Sequence, residues 1–216
     1  MGVGIVDIAQ IHETSIIDRT RGIRQVLALL KTQNLPFETY SCLDLFAGDG
    51  SFCTSVLAQS VDKIECIEHD PDIFRNLKRN LPQAKCHCAD AIEWVQNNRR
   101  EHDLIHIDNP QNVYGEYCEY FNLMSLLTQL FQKQTIIIHN LNVAPYKYDK
   151  SSIWARRRNE FYNTQDASIL DLESVKKHHV QLFSQQGIKV SWIEAVPREN
   201  HNASTYLYYL VYQLNK

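Results

Sequence analysis

Residues 42–52 read Cys42-Leu43-Asp44-Leu45-Phe46-Ala47-Gly48-Asp49-Gly50-Ser51-Phe52. An apolar strand from Ser41 to Phe46 runs into a turn with glycines at 48 and 50, and a helix is expected from Ser51. Glycine suits such a turn because it tolerates positive φ and lets a ligand lie against bare backbone. The first N–H groups of the following helix lack intrahelical partners and face the same place. A strand–turn–helix of this kind holds nucleotides of several sorts.

Two features narrow the choice. No Lys-Ser or Lys-Thr follows the glycines, so the triphosphate-cradling loop is absent. Phe46 stands where a dinucleotide fingerprint has its first glycine, and Asp44 sits in the strand end, where a carboxylate suits an amino-bearing ligand and repels a pyrophosphate. The pattern resembles motif I of the class I S-adenosylmethionine-dependent methyltransferases. Its wording is similar to the branch that methylates amino groups of nucleic-acid bases. The resemblance implies S-adenosylmethionine as cofactor, with Asp44, Phe46, Ala47, Gly48 and Gly50 at its methionine end.

The neighbouring segments extend the same pattern. Lys63 to Glu68 reads as the second strand, and Glu68, its last residue, lies 24 residues after Asp44. A doubly wound fold places a ribose-binding carboxylate there. Glu68-His69-Asp70-Pro71 is similar to the family's wording, which puts Glu68 and His69 at the cofactor; a solvated strand-end charge is the plainer reading. A helix over 72–80 and a strand over 84–88 follow, then Asp90-Ala91 opens a helix through Asn98. Asp90 suits an N-cap, and in the family a residue here contacts the adenine, which implicates Asp90 and Ala91. Cys86-His87-Cys88 alternates across a strand and has no second Cys/His pair at zinc spacing, so it reads as buried thiols and no metal site is expected.

Asp103 to Asp108 reads as the fourth strand, with Asn109-Pro110-Gln111 after it. This edge, beside the first strand, is where open α/β sheets bind ligands. The amino-methyltransferases carry Asp/Asn-Pro-Pro-aromatic here. In this chain Asn109 replaces the first proline and Gln111 the aromatic, so Tyr114 would have to supply a stacking ring. Asp108, Asn109, Pro110 and Tyr114 are therefore the expected acceptor-side residues, with Asp108 also near the cofactor. The catechol O-methyltransferase pattern matches at Tyr114 and at His139-Asn140, but Pro110 and His139 replace two magnesium-binding carboxylates. Asp108, His139 and Asn140 could still converge, with His139 as a general base; a satisfied strand-end histidine is the alternative.

Residues 1–17 read as an irregular arm or short lid, and Ile16 to Lys31 as an amphipathic helix stopped by Asn34 and Pro36. A helix is expected over 117–131 and a fifth strand over 134–140. Residues 141–169 show no long periodic segment but hold Tyr146, Trp154, Arg156, Arg157 and Arg158. A loop that long is usually functional. It suits either a phosphate-bearing or acidic partner or a solvated helix start beside Glu160. A helix over 170–186 and strands over 188–196 and 205–214 close the chain.

Five parallel βα units ending in an antiparallel hairpin match the α/β fold that the resemblance implies: a Rossmann-like seven-stranded methyltransferase sheet of order 3-2-1-4-5-7-6, strand 7 antiparallel, with helices on both faces. One domain over 1–216 is expected, with an N-terminal arm and helix over 1–35 and a substrate-binding insertion over 141–170. A net charge of -3 leaves no basic excess for gripping long nucleic acid by charge alone. Six cysteines placed mostly inside predicted elements, no basic leader and no apolar run of membrane length point to the reducing cytoplasm. The leading expectation is N-methylation of an amino or amide group on an RNA, DNA or polypeptide. O-methylation of a small molecule and a non-catalytic binding subunit of the same fold are the rivals.

Overall fold

The structure is a computed structural model, and it describes residues 8–108, 119–131, 133–144, 152–198 and 206–216, with side chains of the first helix described from Thr20 onward. Parallel strands β1 (Ser41–Asp44), β2 (Lys63–Glu68), β3 (Lys85–Cys88), β4 (Leu104–Ile107) and β5 (Gln134–Ala144) are joined by an antiparallel pair, β6 (Lys189–Arg198) and β7 (Tyr206–Asn215). The strand order is β3-β2-β1-β4-β5-β7-β6, as expected from the sequence. The central strands are covered on both faces, which is why β4 reads Leu-Ile-His-Ile and is buried at every position.

Helices α1 (Ile8–Thr32), α2 (Phe52–Ala58) and α3 (Pro71–Asn80) cover one face. On the other lie α4 (Ala91–Asn97), α5 (Glu119–Met124), α6 (Ile153–Tyr162) and α7 (Leu172–Ser184). The cap chemistry explains several starts. Asp70 accepts from the backbone N–H of Asp72 and Ile73 with Pro71 at the first helical position, and Asp171 accepts from Ser174.

Four expectations are corrected. α1 begins at Ile8 rather than Ile16, because no glycine or proline interrupts the chain between Ile8 and Thr20. The helix expected over 117–131 stops at Met124 and resumes as a 3-10 turn at Leu127–Gln129. β5 continues to Ala144, because β7 offers it an antiparallel partner as far as Tyr206. Finally, 141–169 is not one long loop: it contains that strand extension, α6 and a 3-10 turn at Ala167–Ile169. Cys42, Cys53 and Cys66 are buried thiols, whereas Cys86 is half-buried and Cys88 ends β3 exposed, so the burial expected of the Cys86-His87-Cys88 thiols does not hold.

Candidate active site

Parallel pairing of β1 with β2 and β4 brings Asp44, Glu68 and Asp108 to one edge of the sheet. Gly48 and Gly50 follow β1 with φ of 58° and 78°. The two glycines serve different ends. A Cβ on Gly48 would meet nothing within 4 Å, so this residue leaves open space above the turn. A Cβ on Gly50 would lie 2.8 Å from Leu77 Cδ1 and 3.0 Å from Leu81 Cδ1, so this glycine lets α3 pack against the turn. Gly50→Ala is therefore expected to cost about 2–3 kcal/mol in urea denaturation, through strain and overpacking, against about 1 kcal/mol for Gly48→Ala. Equal losses would show that the α3 contact is not the constraint.

Glu68 is buried, and its carboxylate accepts from the Gly48 N–H at 3.1 Å and the Asp70 N–H at 2.8 Å. It ties the glycine turn to the loop after β2. His69 Nδ1 lies 3.2 Å from the same carboxylate and is largely exposed. Asp90 caps α4, accepting from Ile92 and Glu93 at 2.9 Å each, with Ala91 buried behind it. The open space over Gly48 lies beside the Glu68 carboxylate. Asp44 does not face that space. It is fully buried and accepts from Thr54 Oγ1 at 2.8 Å and pairs with His106 Nδ1 at 3.1 Å. Burial opposes a charge on His106, but Asp44, with Asp108 beyond it, raises the imidazole above its usual value. Phe46 is half-buried and packs on the core of the α4–α7 face.

Asp108 forms the second centre, immediately after β4. It accepts from Asn140 Nδ2 and, in a two-point contact, from Arg198 Nη1 at 2.7 Å and Nη2 at 3.4 Å. The Arg198 guanidinium lies 5.3 Å from the Tyr209 ring centre. Asn140 and Asn142 are fully buried; among the described residues, Asn140 Oδ1 and both amide atoms of Asn142 have no hydrogen-bond partner. Sequence reasoning missed His106, Asn142, Arg198 and Tyr209. Spacing of two along β4 and β5 would have placed His106 and Asn142 on the faces of Asp108 and Asn140. No local signal marks Arg198, which is 90 residues from its partner. Asn109, Pro110, Tyr114 and Tyr146 lie outside the described residues.

The expected convergence of Asp108, His139 and Asn140 is met by two of the three. Consecutive residues of a strand face opposite ways, so Asn140 turns to Asp108 and His139 turns to the α4–α7 face. There His139 is fully buried, 3.3 Å from the Tyr120 hydroxyl and stacked on His179 with ring centres 5.2 Å apart. Tyr120 lies 2.8 Å from His179 Nε2, and His179 Nδ1 donates to the Val175 carbonyl. Burial, then the adjacent His179, holds His139 well below the usual histidine value; burial pushes His179 down to about 3.

These shifts predict an acid-sensitive fold. Both histidines bind protons more readily when unfolded, so their contribution is complete above about pH 6.5 and is lost as pH falls towards the folded values. Urea denaturation should show stability dropping by about 1.4 kcal/mol per pH unit for each histidine over that range. His179→Gln should flatten the slope; an unchanged slope would assign it elsewhere. His106 works the other way: its raised value adds stability below about pH 6.5 that is lost as pH rises through the folded value.

The arginines of α6 divide. Arg158, expected at a substrate, is instead fully buried. It donates to the carbonyls of Asn142 at 2.8 Å, Val143 at 3.2 Å and Ala167 at 3.3 Å, beneath the rings of Trp154 and Tyr162. The pairing of β5 with β7 is irregular between Asn142 and Ala144, and Arg158 meets the carbonyls there. Arg157 donates to Asn122 Oδ1, and Arg156 is exposed.

The family model Conserved hypothetical protein 95 matches residues 21–171. The chain belongs to this family. It is a methyltransferase family, and its matched span includes the glycine turn, Glu68, Asp90, Asp108 and Asn140. No curated protein sequence matches the chain. Among solved structures, M. jannaschii TYW2 in complex with AdoMet shares 13% identity at a TM-score of 0.56, over 94% of this chain and 76% of that one. Magnesium protoporphyrin IX methyltransferase (ChlM) from Synechocystis PCC 6803 with bound SAM also shares 13% at 0.56, over 100% and 86%. At such identities the likeness is one of fold, the Rossmann-like methyltransferase sheet. Among the described residues no helix is long and apolar enough to cross a membrane, and no group of three or more His, Cys, Asp or Glu side chains is placed to hold a metal.

Proposed function

We propose that this Conserved hypothetical protein 95 member transfers a methyl group from S-adenosylmethionine to an amino or amide nitrogen of an RNA, DNA or polypeptide. The observation that carries the reading is the Asp108 centre: a carboxylate held by Asn140 and Arg198, with three buried amide atoms of Asn140 and Asn142 that have no partner among the described residues. A buried polar atom left unpaired costs about 1–3 kcal/mol, and an acceptor bearing N–H and C=O groups offsets that cost where an apolar one does not.

The roles follow from placement. Glu68 accepts from the ribose hydroxyls across the open space at Gly48; Asp90 and Ala91 border the adenine. Bound S-adenosylmethionine supplies a methyl group already activated by its sulfonium. The chain then needs to orient a nucleophile and exclude water. Asp108 accepts a hydrogen bond from the target N–H, which fixes the direction of the nitrogen lone pair. Asn109, Pro110 and Tyr114 follow directly in sequence and would complete the acceptor side. Trp154, Arg156 and Tyr146 fit an acidic or phosphate-bearing partner recruited by 141–170. Unoxidised thiols at Cys42, Cys66, Cys86 and Cys88 suit a reducing cytoplasm.

The test is a labelled-methyl transfer assay against total RNA, total protein and a small-metabolite extract, each with and without EDTA. Label in a macromolecule, unaffected by EDTA, supports the proposal. Label confined to small molecules and lost with EDTA would replace it by metal-assisted O-methylation. Cofactor binding with no transfer to any pool would favour a binding subunit.

A further inference from the structure

We infer that Arg198 is a positioning residue for this methyl transfer, acting through Asp108. The inference rests on the acceptor role assigned to Asp108 above. Arg198 ends β6, at the far side of the sheet from β4, and its side chain spans the intervening strands to reach Asp108. A planar guanidinium that contacts both carboxylate oxygens fixes rotation as well as position, which an ammonium cannot do. The two contacts are unequal, 2.7 Å to Oδ1 and 3.4 Å to Oδ2. Asn140 also donates to Oδ1. Oδ1 is thus the anchored oxygen, and Oδ2 has the capacity to accept from an N–H of the acceptor.

The arginine is itself held. Its guanidinium stacks over Tyr209, whose hydroxyl lies 3.0 Å from Cys53 Sγ. Helix α1 closes over the pair: a Cβ on Gly22 would come within 2.9 Å of Tyr209 Cε2 and 3.3 Å of the Arg198 Cα. Asp108 therefore receives its orientation from β5, β6, β7 and α1 together. Arg198 shares the α1 face with Asn140, so the clamp borders the buried amides that the acceptor would meet.

The experiment uses the full chain and the macromolecular pool that takes label. Arg198→Lys, Arg198→Ala, Asp108→Asn and the Arg198→Ala/Asp108→Asn pair are compared for initial rate, for S-adenosylmethionine affinity by calorimetry and for thermal melting. Arg198→Lys should slow transfer by about 10–100-fold with cofactor affinity within about twofold, because only the alignment of the acceptor is lost. Added guanidinium ion should restore part of the Arg198→Ala rate. The double variant should be no slower than Asp108→Asn alone, since both changes remove one function. A wild-type rate for Arg198→Lys, or single effects that multiply in the double variant, would overturn the inference. If Asp108→Asn alone transfers at the wild-type rate, the acceptor assignment fails and the clamp with it. Should Arg198→Ala fail to melt cooperatively, Arg198→Lys decides.

Discussion

Replacing Asp108 by alanine is expected to lower methyl transfer by about a hundredfold or more while leaving S-adenosylmethionine affinity within about twofold. The magnitude is that of removing one preorganised hydrogen-bonding group from a reacting centre, about 10²–10³ in rate. Cofactor affinity is spared because Glu68, proposed for the ribose, belongs to β2, and Asp90 and Ala91, proposed for the adenine, lie at the start of α4. The loss also strands Arg198, whose charge burial opposes and the Asp108 carboxylate holds in place. Some loss of stability should therefore accompany the loss of rate. Asp108→Asn keeps the side-chain volume but should slow transfer as well, since its one oxygen is drawn to Arg198 and Asn140 and its amide NH2 is left to face the acceptor. Single-turnover rates and calorimetry on both variants check this. Retained transfer in Asp108→Ala would move the acceptor site away from the end of β4.

Glu68→Ala is expected to do the opposite, weakening S-adenosylmethionine binding by about a hundredfold with no direct effect on the acceptor. Hydrogen bonds to a charged group contribute about 1.5–3 kcal/mol each, and 1.4 kcal/mol is tenfold in affinity. Two ribose hydroxyls would be lost at once. The same substitution releases the Gly48 and Asp70 N–H groups that the carboxylate now accepts from, so the turn loosens as well. Glu68→Gln keeps one accepting oxygen and should fall between the two. Unchanged affinity in Glu68→Ala, measured by calorimetry, would show that the carboxylate serves only to close the loop between β1 and β2.

Much of the proposed cofactor side is legible in the sequence, because its parts are local. A strand, a glycine turn and a helix start are written within residues 41–52, and Glu68 and Asp90 each mark the end or start of an element that periodicity and capping chemistry define. Asp44 was legible as a residue but not as a partner. Its carboxylate meets His106 on the neighbouring strand, a contact that depends on the register of β1 against β4. The sequence likewise named Arg156, Arg157 and Arg158 as one basic run, whereas one turn of helix sends Arg158 into the interior to meet carbonyls at the irregular end of β5.

The sequence by itself, apart from the strand order that the resemblance to class I methyltransferases implied, determined the order of the elements and the residues at the ends of β1, β2 and β4. These follow from hydrophobic period, glycine and caps, which act over a few residues. Only the tertiary structure decided that His139 and Asn140 part to opposite faces of the sheet in their particular surroundings, and that Asp108 is held by Arg198. The reason is physical. Pairing partners across a sheet are chosen by burial and strand register rather than by distance along the chain, so a carboxylate and a guanidinium 90 residues apart carry no mark of each other until the strands between them are in place.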